Sequence, residues 1–277
     1  ERIIHAALLG AGTVGSGVYK LVKDLEEEII SKTGARLVVD KILVRDTTKA
    51  REGIPSELLI DRWDEILNDP QIEIVIEVMG GIRPALTWLE EALRAGKQVV
   101  TANKDLLAEY GEQLFDAAEA GKCDLHFEAA VAGAIPIIRP LRQSLVASEL
   151  TEVMGIVNGT TNYILTRMTE DGMGYEEALA LATKLGYAES DPTADVEGYD
   201  AGRKVAIMAS IAFNSNVTFS QVYTEGITHI TAEDIRYAKE FGYVIKLIGM
   251  TRLTEGGVEV KVHPMLLPEQ HPLSTVR

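Results

Sequence analysis

The segment LLGAGTVGSG, residues 8 to 17, places glycines at positions 10, 12 and 15 between a strand-like run and a helical pattern. The spacing G-x-G-x-x-G permits a tight turn, close approach of the backbone to a pyrophosphate and close packing of helix on strand. The free N–H groups at the helix start favour phosphate charge. We predict a dinucleotide site, with a merely tight turn as the alternative. The predicted cofactor-binding residues are Gly10, Gly12, Thr13, Val14 and Gly15.

Outward from this loop, short apolar runs alternate with helical patterns as far as residue 134. The strand-like runs are IIHAALL (3–9), RLVVDKILV (36–44), IEIVIEV (72–78), KQVVTA (97–102) and CDLHFEA (123–129). The helical patterns cover residues 13–31, 56–69, 83–95 and 104–120. Such an alternation predicts a parallel sheet with helices on both faces. We therefore predict an α/β, Rossmann-type dinucleotide-binding domain over residues 1–134.

Residues 135–277 follow a different pattern. TEVMGIV (151–157) predicts a strand, and helical patterns follow at 161–171, 175–185 and 198–213. Near the end, the runs IKLIGMTRL and VEVKVHP flank TEGG, which predicts an antiparallel hairpin. This half is predicted to be a mixed α+β domain.

The composition excludes several classes of function. A formal net charge of −15 argues against nucleic acid as the main partner, because phosphate binding needs a basic surface. No stretch approaches about 18 uncharged apolar residues, and no signal-peptide pattern opens the sequence, so we expect neither a membrane span nor secretion. Cys123 is the single cysteine and the five histidines never fall at ligand spacing, which argues against a disulfide or a transition-metal centre. We expect a cytoplasmic protein.

The second predicted strand ends in LVRDTTKAR, which bears on the choice between the two nicotinamide dinucleotides. Arg45 lies where a residue that binds the extra phosphate of NADP is expected, and Asp46 lies where an acid would favour NAD. Solvated loop charges are the alternative, and the pattern leaves the choice open.

An acid-rich stretch, GYAESDPTADVEGYDAGRKV (186–205), precedes the apolar run AIMASIAF. On a helix, Asp200 and Lys204 lie one turn apart on the face that Ile207 and Met208 continue. An exposed acid–lysine pair is the alternative. A face of this kind points inward, however, and a lysine there needs an anionic partner and a polar cleft. We therefore predict a functional cleft.

Two further positions are candidates on weaker grounds. Lys104, in TANKD, follows a predicted strand at the edge where open α/β sheets bind ligands, although a surface lysine at a helix start has the same pattern. In NGTTN (158–162), Thr160 or Thr161 is a natural N-cap, and the same helix start could hold a substrate carboxylate.

These motifs together resemble homoserine dehydrogenase, the enzyme family that reduces aspartate 4-semialdehyde to L-homoserine in threonine, methionine and isoleucine biosynthesis. The resemblance rests on GAGTVGSGV, TANKDLLA, HFEAAVAGAIPII, GIVNGTTNYIL and LGYAESDPTADVEGYDAGRKVAIMAS, in that order. It runs along essentially the whole chain, and the stretch 186–205 is its most specific part.

The resemblance implies a role for each matching position. Lys204 matches the proton donor to the carbonyl oxygen, Asp200 the acid that orients it, and Lys104 a lysine between nicotinamide and substrate. Glu189 matches the carboxylate that binds the substrate amino group. The remaining matches are Tyr187, Asp195 and Thr160 near the substrate, Gly186 at the cofactor, and Glu128, Val131, Gly133 and Ile135 at a monovalent cation site.

We expect an NADP-preferring enzyme, with NAD as a possible cofactor, because Arg45 ends the second predicted strand. The resemblance implies a bound Na⁺ or K⁺. Together with the late hairpin, whose edges need covering, it also implies a homodimer formed through residues 135–277. Family chains continue beyond HPLSTVR, and bacterial members often add a regulatory domain, so we expect a longer chain than the one given. Two alternatives stay open: another two-domain Rossmann oxidoreductase, and a catalytically silent cofactor-binding module.

Overall fold

The computed structural model describes residues 2–277, which divide into two compact units. The first unit ends at Ala134 and the second begins at Ile135. Within the described residues, no helix is long and apolar enough to cross a membrane.

The first unit is built on one parallel sheet, as the alternating sequence pattern predicts. Within residues 2–134 its strands are β1 (Arg2–Leu9), β2 (Ala35–Leu43), β3 (Leu59–Ile60), β4 (Ile72–Glu77), β5 (Gln98–Thr101) and β6 (Leu125–His126). They lie in the order β3-β2-β1-β4-β5-β6, and every pairing is parallel. The order reverses direction between β1 and β4, the position at which open α/β sheets bind ligands. The Rossmann-type fold is thus confirmed.

The helices of this unit connect successive strands. They are α1 (Thr13–Asp24), α2 (Glu26–Thr33), α3 (Asp64–Leu67), α4 (Ala85–Arg94) and α5 (Lys104–Gly121). The central strands are buried because helices cover the sheet: Leu8, Leu9, Val75 and Val99 have no exposed surface. Burial of such a side chain contributes roughly 1.5–3 kcal/mol. This core holds the carboxyl ends of β1, β4 and β5 in fixed positions.

Two helix predictions in this unit are wrong in part. The pattern over 13–31 is interrupted at Leu25, whose φ of −108° and ψ of 22° end α1, and three glutamates favour a new helix start at Glu26. The pattern over 56–69 contains a strand, because Leu59 and Ile60 pair with Ile42 and Leu43 at the edge of the sheet. Tertiary pairing outweighs the local helical pattern there.

The second unit is a mixed α+β domain. Its strands are β7 (Glu152–Gly155), β8 (Tyr223–Thr224), β9 (Tyr243–Thr254) and β10 (Gly257–Pro268), in the order β7-β9-β10-β8. The predicted hairpin is formed by β9 and β10, which pair antiparallel along their length. The helices are α6 (Gly159–Asp171), α7 (Tyr175–Lys184), α8 (Thr193–Val196), α9 (Tyr199–Ala212) and α10 (Ala232–Glu240). The sequence pattern missed β8, α8 and α10, although the capping box of Thr231 and Asp234 marks the start of α10.

Helix α9 packs closely on the hairpin, and glycine makes this approach possible. A Cβ added at Gly249 of β9 would lie 2.4 Å from Cγ2 of Val205. Val205, Ala206, Ile207 and Met208 are buried, as expected for an inward-facing helix. The position of α9 over the sheet is therefore set by packing, and the first two turns of α9 carry Asp200 and Lys204 with them.

Candidate active site

The glycine loop after β1 has a geometry that requires glycine at two of its three motif positions. Gly10 has a φ of +101°, and a Cβ added at Gly15 would lie 2.1 Å from the carbonyl oxygen of Gly10. A Cβ added at Gly12 would meet nothing within 4 Å. Two glycines thus serve the turn and the close packing of α1 on the sheet, while Gly12 borders open space.

The start of α1 fits the pyrophosphate of a dinucleotide. Gly12 provides no side-chain cap, and the first turn of the helix carries no acidic residue. The N–H groups of the first turn, including those of Thr13 and Val14, therefore have no intrahelical acceptor and are available to a phosphate. Val14 is 57% exposed although it is apolar, which is consistent with a surface that a ligand covers.

The loop after β2 presents Arg45 and Asp46 differently. The Asp46 carboxylate accepts hydrogen bonds from the backbone N (2.9 Å) and Oγ1 (2.6 Å) of Thr48, and the Thr48 hydroxyl holds the pKa of Asp46 below its usual value. Arg45 is exposed, and among residues 2–277 it forms no ion pair. The acid is therefore engaged within its own loop, whereas the guanidinium is available.

A buried carboxylate joins the loops that follow β4 and β5, and the sequence analysis missed it. Glu77 is fully buried, and its Oε1 accepts hydrogen bonds from the backbone N of Met79 (2.8 Å) and Gly80 (3.0 Å). Its Oε2 accepts a hydrogen bond from Oγ1 of Thr101 at 2.6 Å. The sequence signal is weak, because the apolar run IEIVIEV contains two glutamates, Glu73 and Glu77, and does not distinguish between them.

The same network continues to the start of α5, where Lys104 lies. Oγ1 of Thr101 accepts a hydrogen bond from the backbone N of Asn103, and Nδ2 of Asn103 donates to the carbonyl oxygen of Gly81 at 2.7 Å. Oδ1 of Asn103 caps α5 by accepting from the backbone N of Leu106. Lys104, the first residue of the helix, is therefore held at the carboxyl edge of the sheet, on the same loop network as Glu77.

In the second unit, Lys204 and Asp200 form the pair expected from their helical spacing. Nζ of Lys204 lies 2.6 Å from Oδ2 of Asp200 and 2.8 Å from the carbonyl oxygen of Val157. The side chains of Lys204 and Asp200 are 18% and 12% exposed, so the alternative of a solvated surface pair is wrong. An ammonium has three N–H donors, which leaves one for a further acceptor.

Asn158 links this pair to helix α6 and was not among the predicted site residues. Its Oδ1 accepts hydrogen bonds from the backbone N and Oγ1 of Thr161, both at 2.9 Å, so the N-cap of α6 is Asn158 and neither Thr160 nor Thr161. Its Nδ2 donates to Oδ1 of Asp195 at 2.7 Å and to Oδ2 of Asp200 at 2.9 Å. Asp195, Asp200 and Lys204 are thereby brought together at the start of α6.

The other predicted substrate residues lie in the segment after α7. Oγ1 of Thr160 donates a hydrogen bond to the carbonyl oxygen of Tyr187 at 2.9 Å, which attaches this segment to the start of α6. Gly186 has a φ of +80°, a conformation that turns the chain at the end of α7. Glu189 is exposed and makes no ion pair among the described residues. Its carboxylate is available to a cationic ligand.

The predicted cation loop has an unusual backbone. Glu128 lies in a short 3₁₀ turn, Val131 is fully buried, and Gly133 lies between Ala132 and Ala134, whose φ angles are +50° and +66°. Left-handed alanines are uncommon, so the loop geometry is not set by local preference. Ile135, with which the second unit begins, is 68% exposed. No cluster of three or more His, Cys, Asp or Glu side chains suited to a metal occurs within residues 2–277.

Comparison with known proteins gives a consistent result along the chain. The homoserine dehydrogenase family model matches residues 136–277, and the model for the NAD binding domain of homoserine dehydrogenase matches residues 10–128. Homoserine dehydrogenase of Bacillus subtilis is 48% identical over 276 residues, which cover 99% of this chain and 64% of that protein. The chain spans about 64% of the length of the curated relatives it matches.

Two solved structures share the fold in detail. The crystal structure of a homoserine dehydrogenase from Thiobacillus denitrificans gives a TM-score of 0.93 at 45% identity, covering 99% of this chain and 64% of that one. The crystal structure of S. aureus homoserine dehydrogenase at pH 6.0 gives a TM-score of 0.89 at 42% identity, covering 100% and 70%.

Proposed function

The chain belongs to the homoserine dehydrogenase family, and from this premise we propose that it reduces aspartate 4-semialdehyde to L-homoserine with a nicotinamide cofactor. The observation that carries the proposal is the position of Lys204. Its ammonium is held by Asp200 and by the carbonyl oxygen of Val157, with one N–H left for a substrate oxygen. A charged, directed N–H in a largely desolvated place suits a carbonyl that becomes an alkoxide.

The proposed chemistry assigns one task to each side chain. The cofactor, when bound, supplies hydride to the carbonyl carbon of the substrate. Lys204 stabilises the charge that develops on the carbonyl oxygen and transfers a proton to that oxygen, which gives the hydroxyl of the product. Asp200 aims Lys204, because its Oδ2 accepts a hydrogen bond from Nζ at 2.6 Å.

The proposed substrate contacts centre on the Glu189 carboxylate and the start of α6. Glu189 would bind the substrate ammonium, since its carboxylate is exposed and makes no ion pair among residues 2–277. The first N–H groups of α6, at Gly159 and Thr160, would bind the substrate carboxylate, with Asp195 and Tyr187 bordering the same helix start. Lys104 keeps the role that the family resemblance implies, between nicotinamide and substrate, and Gly186 a contact with the cofactor.

We propose that NADP is preferred over NAD. Arg45 offers a free guanidinium at the end of β2, where the additional phosphate of NADP lies in this fold. Asp46, the acid that would favour the ribose hydroxyl of NAD, is engaged by Thr48. The two residues therefore support the same preference, although NAD remains a usable cofactor because the glycine loop contacts only what both cofactors share.

We propose that Na⁺ or K⁺ binds the loop that contains Glu128, Val131, Gly133 and Ile135. The left-handed Ala132 and Ala134 support the proposal, because a backbone held in such conformations turns carbonyl oxygens out of the usual pattern. A hard alkali cation prefers oxygen ligands of this kind. Activity that is unchanged after every alkali cation is replaced by tetramethylammonium would contradict it.

We propose further that the chain forms a homodimer through its second unit. β9 and β10 are each 12 residues long, whereas β7 and β8 cover only 4 and 2 residues of their outer edges. Uncovered strand edges are a template for pairing with another chain. Light scattering at micromolar concentration is expected to give twice the chain mass, and a monomeric mass would contradict the proposal.

The test of the proposed activity is oxidation of NADPH, followed by absorbance, with a panel of amino-acid semialdehydes and related carbonyl compounds. Turnover with aspartate 4-semialdehyde above all others supports the proposal. Preference for a different carbonyl would instead identify another two-domain oxidoreductase. Cofactor binding without turnover, in a chain of the full length of its relatives, would identify a silent cofactor-binding module.

A further inference from the structure

We propose that Asn158 is a positioning residue for the reaction, because it fixes both acceptors that aim Lys204. The inference rests on the proposed function for the identity of the reaction. It goes beyond that function by assigning a role to a residue that touches neither the reacting atoms nor the cofactor.

The first part of the role is the carboxylate of Asp200. Nδ2 of Asn158 donates to Oδ2 of Asp200 at 2.9 Å, and the same oxygen accepts from Nζ of Lys204 at 2.6 Å. Asp200 is buried, so few waters are available to orient its carboxylate. The amide of Asn158 therefore limits the rotation of the carboxylate and holds the lone pair that faces Lys204.

The second part is the backbone of Val157. Its carbonyl oxygen accepts the other hydrogen bond from Lys204, at 2.8 Å, and it belongs to the peptide that leads into Asn158. The side chain of Asn158 caps α6 through Thr161, which fixes this peptide relative to the helix. A displacement of residue 158 would thus move both anchors of the ammonium together.

The third part is electrostatic. Nδ2 of Asn158 bonds to Asp195 and Asp200 at once, so two carboxylates lie around one nitrogen. Two carboxylates that share one nitrogen repel each other unless a donor lies between them. The two N–H groups of the amide supply such donors. Asp195 and Asp200 are thereby held at one amide, which keeps Oδ2 of Asp200 beside Nζ of Lys204.

The orientation of the amide is fixed by its surroundings. Oδ1 faces the N–H of Thr161, and Nδ2 faces two carboxylate oxygens. A flipped amide would place Oδ1 against the two carboxylate oxygens and Nδ2 against the N–H of Thr161, so neither atom could make these hydrogen bonds. Nδ2 donates both of its hydrogens and Oδ1 accepts two hydrogen bonds, so all four hydrogen-bonding positions of the side chain are occupied. The residue is 6% exposed. No capacity is left for substrate, which makes the role one of positioning.

Two variants separate this role from helix capping. Asn158→Asp and Asn158→Ser both keep an oxygen that can cap α6, but both remove the N–H groups directed at Asp195 and Asp200. Thr231→Ala is the matched control, because Thr231 caps α10 through Asp234 and has no contact with Lys204. If Asn158 served only as a helix cap, Asn158→Asp and Asn158→Ser would have the kcat and the stability of the wild type. Thr231→Ala would then be the least stable of the three variants.

The experiment measures kcat for NADPH oxidation by aspartate 4-semialdehyde against pH, together with NADPH affinity. We expect about a 10-fold to 100-fold loss of kcat in Asn158→Ser, since small misplacements of a catalytic group cost rates on that order. NADPH affinity should stay within about twofold in both variants. In Asn158→Asp, a third carboxylate is added next to those of Asp195 and Asp200. The acidic limb of the plot of kcat against pH should therefore move to higher pH.

A second readout does not depend on turnover. Trace acetylation followed by mass spectrometry measures the reactivity of the Lys204 amine at each pH, and the added negative charge in Asn158→Asp should make Lys204 less reactive at a given pH. If the wild type fails to turn over the semialdehyde, the proposed function is contradicted. The acetylation experiment would still show whether Asn158 affects the reactivity of Lys204. Unchanged kcat in a folded Asn158→Ser chain, or unchanged Lys204 reactivity in Asn158→Asp, overturns the inference.

Discussion

Nζ of Lys204 lies 2.6 Å from Oδ2 of Asp200, one helical turn earlier in α9, and both side chains are largely shielded from solvent. An exposed pair at this spacing is worth about 0.3–0.5 kcal/mol and has no function beyond the helix. Here the lysine also bonds to a backbone carbonyl from a different segment of the chain. This fixed, charged amine is the centre of the proposed chemistry.

The glycine loop gives a prediction in which cofactor affinity and stability respond differently. Gly12→Ala should leave the free energy of unfolding within about 1 kcal/mol of wild type, because the new methyl meets no protein atom within 4 Å. It should nevertheless weaken NADPH strongly, since the methyl would enter the space that we propose for the pyrophosphate. Gly15→Ala should lose about 1–3 kcal/mol of stability as well, because its methyl would lie 2.1 Å from the Gly10 carbonyl oxygen.

Thermal unfolding without cofactor and fluorescence titration with NADPH measure the two effects. Gly17→Ala is the control, since it lies in α1 with open space around it and should gain about 0.5–1 kcal/mol. Normal NADPH affinity in Gly12→Ala would mean that the phosphate does not approach this loop.

Arg45 provides a prediction about the choice of cofactor. Arg45→Ala should weaken NADPH by about 10-fold to 100-fold, the range for losing a hydrogen bond to a charged group, and change NADH little. Arg62→Ala, which removes an exposed arginine paired with Asp64 in the same unit, should affect neither cofactor. Dissociation constants for both cofactors, measured on the three proteins, check the prediction. Equal losses for NADPH and NADH in Arg45→Ala would exclude a specific phosphate contact.

Lys246 provides a prediction about stability and pH. It is buried in β9, and its Nζ donates to Oδ1 of Asn162 and to the carbonyl oxygen of Val276. Burial lowers the pKa of Lys246 from 10.5 to about 8, so between these values the unfolded chain binds more protons than the folded chain. The free energy of unfolding contributed by this group must therefore rise with pH across that window.

Lys246→Met removes the titrating group. The free energy of unfolding of wild type relative to this variant should increase by about 2 kcal/mol between pH 7.5 and 9.5, measured by urea unfolding. Lys239→Met, at an exposed position of α10, should show no such dependence. A wild-type advantage that does not change with pH across this window would show that the buried amine stays charged in the folded chain.

Much of the fold could be predicted from the sequence because most of its helices and strands have a recognisable local pattern of apolar residues. The apolar runs of the first unit and the two runs of the hairpin are long enough to specify strands without knowledge of their neighbours. The missed strands are short. Leu59 and Ile60 form a strand only because β2 offers an edge, and a two-residue segment carries no periodicity of its own.

The candidate site could be predicted only where chemistry and spacing coincide. Asp200 and Lys204 are four residues apart on an otherwise apolar face, so their pairing is a local property. Asn158 is different: it lies 37 and 42 residues from the two acids it bonds, and within NGTTN an asparagine and two threonines all suit an N-cap. Only the folded arrangement of α6 and α9 distinguishes among them.

The turnover number of Lys204→Ala decides whether Lys204 is the proton donor. If Lys204 protonates the alkoxide, kcat for NADPH-dependent reduction of aspartate 4-semialdehyde should fall by about 10²–10⁴, the range for general acid catalysis, with NADPH affinity within about 1 kcal/mol of wild type. Lys204→Arg should restore little, because a guanidinium keeps its proton near neutral pH. A folded Lys204→Ala enzyme with near-normal kcat would contradict the account.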